Sequence, residues 1–296
     1  MEKSRNIIIG FAAGIAAGVS YGLNPLFGKP LLDSGVSVLT MLFFRYFISA
    51  VILGVWMAVR REQFRIHRKE TAVLILLGLL FSCSSLFLFE SYRFIPSGLA
   101  TTIVYLYPVF VALTMVFLKS YPTWQVWISI AATFVGVLIL CKPSDGVALN
   151  WTGMVLAALS ALSYAFYLVI VNRSKTIKNV SEHAITFYAL TTGTVLFLLY
   201  GFNERDTFLT GIDTSMDIVN LFGLAIFPTM VSLLALAVST RMIGPTKTSV
   251  LGVFEPVTAI LIGTLAFSEP ATVNIIIGIA ICISAILFMM ASEKRN

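Results

Sequence analysis

The chain contains one stretch twice, and this duplication constrains the fold more than any other feature. Residues 91–122 read SYRFIPSGLATTIVYLYPVFVALTMVFLKSYP, and residues 239–270 read STRMIGPTKTSVLGVFEPVTAILIGTLAFSEP. They align without a gap. Ser91 falls on Ser239, Arg93 on Arg241, Ile95 on Ile243, Pro108-Val109 on Pro256-Val257, Leu113 on Leu261 and Pro122 on Pro270. Each copy reads as a short amphiphilic hinge, an apolar helix with proline near its middle, and a second proline where the next helix begins. The match continues elsewhere: Gly10, Ser20-Tyr21 and Phe44 fall on Gly153, Ser163-Tyr164 and Phe187 at one constant, slightly shorter offset. The chain therefore reads as two copies of one unit, residues 1–142 and 150–296.

The surroundings of those copies are apolar throughout. Hydrophobic residues make up 58% of the chain and charged residues 11%, against about half and about a quarter in a soluble domain. A water-soluble fold could not hide so much apolar surface, so the chain belongs in a bilayer. An apolar run of ~20 residues crosses the ~30 Å hydrocarbon layer as a helix. Ten such runs are legible: 7–26, 36–59, 71–92, 97–118, 123–141, 151–171, 183–202, 218–240, 246–267 and 272–291. The expected fold is an all-α integral membrane protein, with ten transmembrane helices in two five-helix repeats. Pro228 interrupts the eighth run. The first has basic flanks (Lys3, Arg5) like a secretory signal, but its apolar run is too long for one, and it reads as a mature helix.

Charge placement sets the expected orientation. Of twenty lysines and arginines, Arg45 lies within an apolar run. Lys29, Arg93, Lys142 and Arg205 fall on one side, and the remaining fifteen on the side that carries both termini. By the positive-inside rule that side is cytoplasmic. Five spans per half also make the halves enter the membrane in opposite senses, an inverted repeat of the kind found in alternating-access transporters. The net charge of +6 is then explained by membrane edges, without nucleic acid.

Ionisable side chains at bilayer depth cost several kcal/mol and mark candidate sites. Three qualify. Arg45 lies roughly 13 Å into the second run at 1.5 Å per residue; it would anchor a solute carboxylate, Glu90 or Glu255, or else form a structural ion pair. Glu90 stands three residues before Arg93, where an i,i+3 pair would account for it. Glu255 sits near the midplane of the ninth run. Thr248, Gly252, Glu255, Ala259 and Gly263 follow helical spacing, and their small residues point Glu255 into the bundle. Pro256 has no N–H, so the Gly252 carbonyl one turn earlier is expected to be free. Tyr107 holds the matched place in the first half. Tyr105, Tyr107, Tyr164 and Tyr188 lie within helices rather than at interfacial ends, which fits a cavity with aromatic faces and hydroxyl donors. Asn24-Pro25, Pro108 and Pro256 are the candidate hinge or gate positions, with a simple helix end as the other reading of Asn24-Pro25.

Other chemistries find no support. Cys83, Cys141 and Cys282 lie in apolar runs without metal spacing, and His67 and His183 stand alone. No Walker A or His-Glu-x-x-His motif occurs. No cofactor, metal site or enzyme activity is expected.

These features together resemble the drug/metabolite transporter superfamily, specifically its EamA-like members. The resemblance rests on the Arg-x-Ile hinge leading to Tyr107-Pro108, on Glu255-Pro256, and on the Ser268-Glu269-Pro270 turn before a final helix containing Gly278. The first half departs from the pattern with Tyr121 opposite Glu269 and Ile130 opposite Gly278. The resemblance implies a multi-pass inner-membrane carrier that exports small organic metabolites, amino acids or drugs. Partners are then the small-molecule solute, the lipid bilayer and H⁺, the expected coupling ion because Glu255 is titratable and no Na⁺ site is legible. The alternative is a non-transporting membrane scaffold or sensor, for which no soluble output module is legible.

Overall fold

The computed structural model describes residues 2–62, 66–91, 94–95, 100, 103–140, 150–203, 208–267 and 273–293. Among them there is no strand. The first half comprises α1 (Glu2–Gly22), α2 (Asn24–Asp33), α3 (Val38–Val59), α4 (Arg68–Ser91), α5 (Tyr107–Phe117) and α6 (Trp124–Leu140). The second comprises α7 (Trp151–Arg173), α8 (Glu182–Asn203), α9 (Ser215–Leu224), a π-helical segment (Ala225–Val231), α10 (Ser232–Ile243), α11 (Pro245–Leu251), α12 (Phe254–Ala266) and α13 (Val273–Glu293). Seven helical stretches are long and apolar enough to cross a membrane: Asn6–Asp33, Val38–Val59, Arg68–Ser91, Trp151–Arg173, Glu182–Phe202, Ser215–Ile243 and Pro245–Ala266. Tyr107–Phe117, Trp124–Ile139 and Ile276–Met289 are shorter apolar helices.

Local chemistry sets the helix starts. The Ser37 hydroxyl accepts from the Thr40 N–H at 3.2 Å and the Asn150 side chain from the Thr152 N–H at 2.9 Å, capping α3 and α7. Thr214 and Asp217 form a reciprocal capping box at α9, which satisfies two backbone donors that would otherwise lack partners.

Prolines change the expected spans in three places. The first expected span is interrupted just before Asn24-Pro25 and then continues. α1 stops at Gly22, Leu23 turns, and α2 restarts with Pro25 in its first turn, where a missing N–H costs nothing. Pro228 is absorbed rather than breaking the eighth span, because the helix widens to π geometry around it. The ninth span is two helices, α11 and α12, separated at Gly252-Val253. The break closes with tight turns, Gly252 N–H to Ser249 O at 3.2 Å and Glu255 N–H to Gly252 O at 2.9 Å. The Gly252 carbonyl is therefore occupied, not free. The first half breaks in the corresponding place, at Tyr105-Leu106, just before Tyr107-Pro108.

The halves pack through matched pairs. α1 lies against α10 and α12, and its counterpart α7 lies against α4 and α5; α3 pairs with α8, and α6 with α13. The contacts repeat down to single residues. A Cβ on Gly10 would meet Ile243 and Met242; one on Gly153 would meet Ile95 and Phe94. Ile95 and Phe94 are the aligned partners of Ile243 and Met242. Small residues continue along both helices, as Gly14, Gly18 and Gly22 on α1 and as fully buried Ala157, Ala161 and Ala165 on α7. Such stripes let helices approach closely where lipid supplies no hydrophobic drive between them.

Side-chain bonds tie the two ends of the bundle. At one, the Arg241 guanidinium donates to Glu182 at 2.9 Å and to the Ile177 carbonyl at 2.8 Å, and His183 Nδ1 lies 3.2 Å from Glu62. At the other, the Ser34 hydroxyl donates to Asp217 at 2.8 Å and the Leu209 N–H to Thr40 at 2.9 Å. These are called below the Arg241 end and the Ser34 end.

Candidate functional site

A cavity of about 210 Å³ lies where α1, α3, α4, α5, α7 and α12 meet. Along α4 it is lined by Phe81, Ser84, Ser85, Leu88 and Phe89, and at the α1–α2 break by Asn24 and Pro25, so it reaches toward the Ser34 end. Toward the Arg241 end it is bounded by Phe81, Tyr107 and Tyr164; the buried Tyr46 and Tyr167 lie beyond them.

Arg45 is 1% exposed, yet it borders this cavity. Its Nε donates to Thr229 Oγ1 at 2.9 Å. That acceptor exists because of Pro228. Proline cannot donate to the preceding turn, and the Thr229 hydroxyl donates to the Leu224 carbonyl there at 2.9 Å. On the other side of the widened segment, the Ser49 hydroxyl donates to the Ala225 carbonyl at 2.7 Å. The guanidinium lies 5.8 Å from the ring centres of Tyr21 and Tyr46, within cation–π reach. Its Nη2 is buried and makes no hydrogen bond. No ion pair with Glu90 or Glu255 is found among the described residues.

Glu255 comes from the other half, on the first turn of α12, and its Oε2 accepts from the Tyr105 hydroxyl at 3.4 Å. Tyr107 crosses to the opposite broken helix, where its hydroxyl donates to the Ser249 carbonyl at 2.9 Å. Gly252 must lack a side chain for this approach, because a Cβ there would overlap the Tyr107 hydroxyl. Its own φ is −58°, so close contact rather than backbone freedom explains the glycine. Tyr107 also packs edge-on against Tyr164, with ring centres 4.8 Å apart.

The structure thus brings Arg45, Glu255, Tyr105, Tyr107, Tyr164, Asn24, Pro25 and Pro256 to one cavity. Three expected residues lie elsewhere. Tyr188 packs on the core beside Phe187, with ring centres 5.6 Å apart, and does not line the cavity. Glu90 is half-buried one residue before the end of α4, also outside the lining; its expected partner Arg93 lies outside the described residues. Pro108 borders a small void with Thr133 and Val253 instead. Sequence reasoning missed Ser84, Ser85, Ser160 and Thr229. The Ser160 hydroxyl donates to the Ser84 carbonyl at 2.7 Å, joining the halves at the cavity wall. The serines at 82, 84 and 85 inside one apolar run were the available signal.

Apolar helices in two matched sets around a cavity with a cation and a carboxylate define a multi-pass membrane protein with an internal polar cavity. Comparison with known proteins gives the family. The sequence profile of the EamA-like transporter family matches twice, over residues 8–141 and 151–291, and the chain belongs to that family. It is thereby a transporter of the drug/metabolite superfamily. It is 23% identical over 289 residues to the uncharacterized transporter YdfC of Bacillus subtilis (strain 168), covering 96% of this chain and 89% of that one. An uncharacterized transporter of Archaeoglobus fulgidus is 24% identical over 192 residues, 64% of this chain and 66% of its own length. A solved crystal structure superposes with a TM-score of 0.79 at 16% identity, covering 94% of this chain and 96% of that chain, and so shares the fold. The Ser268-Glu269-Pro270 turn lies outside the described residues.

Proposed function

We propose that the chain is a secondary active exporter of small organic solutes that works by alternating access with H⁺ as the coupling ion. In this reading the seven long stretches and three shorter apolar helices make ten spans, in repeats 1–142 and 150–296 of opposite orientation. Both termini and the Arg241 end face the cytoplasm, in the inner membrane. The solute sits in the cavity between the repeats.

One observation carries the reading. Arg45 of the first half and Glu255 of the second line the same cavity, beside two helix breaks in matched positions, and Arg45 Nη2 has no protein partner. Buried polar groups are almost always hydrogen-bonded, so a cavity-lining arginine whose Nη2 makes no hydrogen bond supports a seat for an anionic solute group. Glu255 supplies an acceptor for a donor group or a proton. The volume is below the ~300–1,000 Å³ of drug-sized pockets, which favours a small metabolite such as an amino acid.

The test is reconstitution into liposomes and a screen of carboxylate-bearing metabolites, with and without an imposed pH gradient. Gradient-driven accumulation that is lost on Arg45→Ala supports the reading. Absence of flux for every carboxylate, or flux indifferent to Arg45, overturns it.

A further inference from the structure

Among the described residues, six side chains have a buried polar atom that makes no hydrogen bond: Arg45 Nη2, Ser82 Oγ, Tyr167 Oη, Thr186 Oγ1, Thr240 Oγ1 and Glu62 Oε2. Their distribution is one-sided. Thr240 lies three residues from the end of α10, Thr186 four from the start of α8 and Tyr167 six from the end of α7. That places them about 5, 6 and 9 Å from the Arg241 end at 1.5 Å per residue. Ser82 and Arg45 lie fourteen residues in along α4 and α3, about 21 Å from that end. Glu62 is in the turn beyond α3. Arg45 borders the cavity and Ser82 lies between Phe81 and Ser84 of its wall, so these two are level with it and the other four lie toward the Arg241 end.

Contacts gather the six into two groups, one beside the cavity and one at the Arg241 end. The Tyr46 hydroxyl, next to Arg45 in the chain, shares a hydrogen bond of 2.9 Å with Ser85 at the cavity wall. Tyr46 and Ser82 together occupy the space a Cβ on Gly193 would need. The Phe81 ring lies between those of Tyr46 and Tyr167, at 5.9 and 5.4 Å. Thr240 adjoins Arg241, which holds Glu182, one turn before Thr186 on α8. His183 then bridges the halves to Glu62.

Leaving a buried hydroxyl unpaired is costly, and four such hydroxyls between the cavity wall and the Arg241 end need a reason. We infer that the two groups form one seam, the cytoplasmic half of the solute path, closed here and open to solute when the Arg241 end opens. The hydroxyls lack partners because their partners are water and solute in the other state. The Glu62–His183 bridge closes the mouth. The inference rests on the alternating-access reading but adds the route, which the cavity alone does not define.

Single cysteines replace Ser82, Thr186 and Thr240, with Ala237 and Leu190 as buried controls, in a background with Cys83, Cys141 and Cys282 changed to alanine. Each is challenged from either face of oriented vesicles with a membrane-impermeant methanethiosulfonate. The expected result is labelling of the three seam positions from the cytoplasmic face at least tenfold faster than the controls. Glu62→Gln should raise that rate further. As an independent readout, Thr186→Val and Thr240→Val remove the unpaired hydroxyls, so they should raise thermal stability and slow cytoplasmic labelling at Ser82→Cys. Labelling no faster than the controls, or only from the other face, overturns the seam. So does a loss of stability in both valine variants. Labelling needs no solute, so a failed flux screen with reactive seam cysteines would reject the solute reading alone.

Discussion

Gly252→Ala offers a quantitative test of how the two broken helices meet. The added methyl group would overlap the Tyr107 hydroxyl and stand 2.9 Å from its Cζ. Tyr107 is 2% exposed, and its ring is held between Tyr105, with centres 6.2 Å apart, and Tyr164 at 4.8 Å, so it cannot swing away. Overpacking of this kind costs ~1–3 kcal/mol, and the displaced bond to the Ser249 carbonyl adds about 1 kcal/mol. Gly252→Ala should therefore lose about 2–4 kcal/mol. Tyr107→Phe alone should lose about 1 kcal/mol or less, since the Gly252 N–H still donates to Ser249 O. In the double variant the overlapping oxygen is gone, so it should be more stable than Gly252→Ala by roughly 1–2 kcal/mol. Thermal unfolding of the four proteins in one detergent measures the cycle. If the double variant is less stable than Gly252→Ala, so that the two losses simply add, Tyr107 does not occupy this notch and the cross-half contact is wrong.

Further outcomes follow from the same geometry. Arg45→Ala should weaken binding of an anionic solute by about 10–150-fold, the loss of one charge-assisted bond worth ~1.5–3 kcal/mol. Arg45→Lys should retain part of it in equilibrium binding assays. Glu255→Gln keeps an oxygen for the Tyr105 hydroxyl, so folded protein should persist while pH-driven accumulation in liposomes disappears. Thr229→Val strips partners from both Arg45 Nε and the Leu224 carbonyl, and should cost about 2–5 kcal/mol in thermal unfolding. A single cysteine at Asn179 should react with impermeant reagents only from the cytoplasmic face, and one at Thr210 only from the other.

Much of the architecture was legible because apolar runs and isolated charges stand out against each other. Arg45 and Glu255 could be singled out for that reason alone, and Gly10 and Gly153 because duplication marked both. The helix breaks were harder. Gly252 looked like one member of a continuous small face, and only the Tyr107 side chain, from far along the chain, shows what it accommodates. Thr229 was invisible for a related reason. Threonine is unremarkable in an apolar run until a nearby proline frees a carbonyl for it and an arginine on another helix needs an acceptor. Tyr188 misled because a mid-helix tyrosine reads alike whether it faces a cavity or a neighbour; that choice depends on helix rotation, which periodicity in an all-round apolar helix leaves open.

The Pro228 widening also makes the site lopsided. Under the repeat offsets, Arg45 corresponds to Tyr188 and Thr229 to Phe81. One half thus carries a guanidinium on a hydroxyl, and in the other half the matched positions hold Phe81 at the cavity and Tyr188 on the core. Had the halves been identical, the outward and inward states would be images of each other and equally populated. With the cation on one wall only, exchanging the halves' roles gives a state of different energy. In the alternating-access reading proposed above, the protein then has a built-in resting preference between its two faces, and a bound solute a single favoured orientation with respect to the membrane.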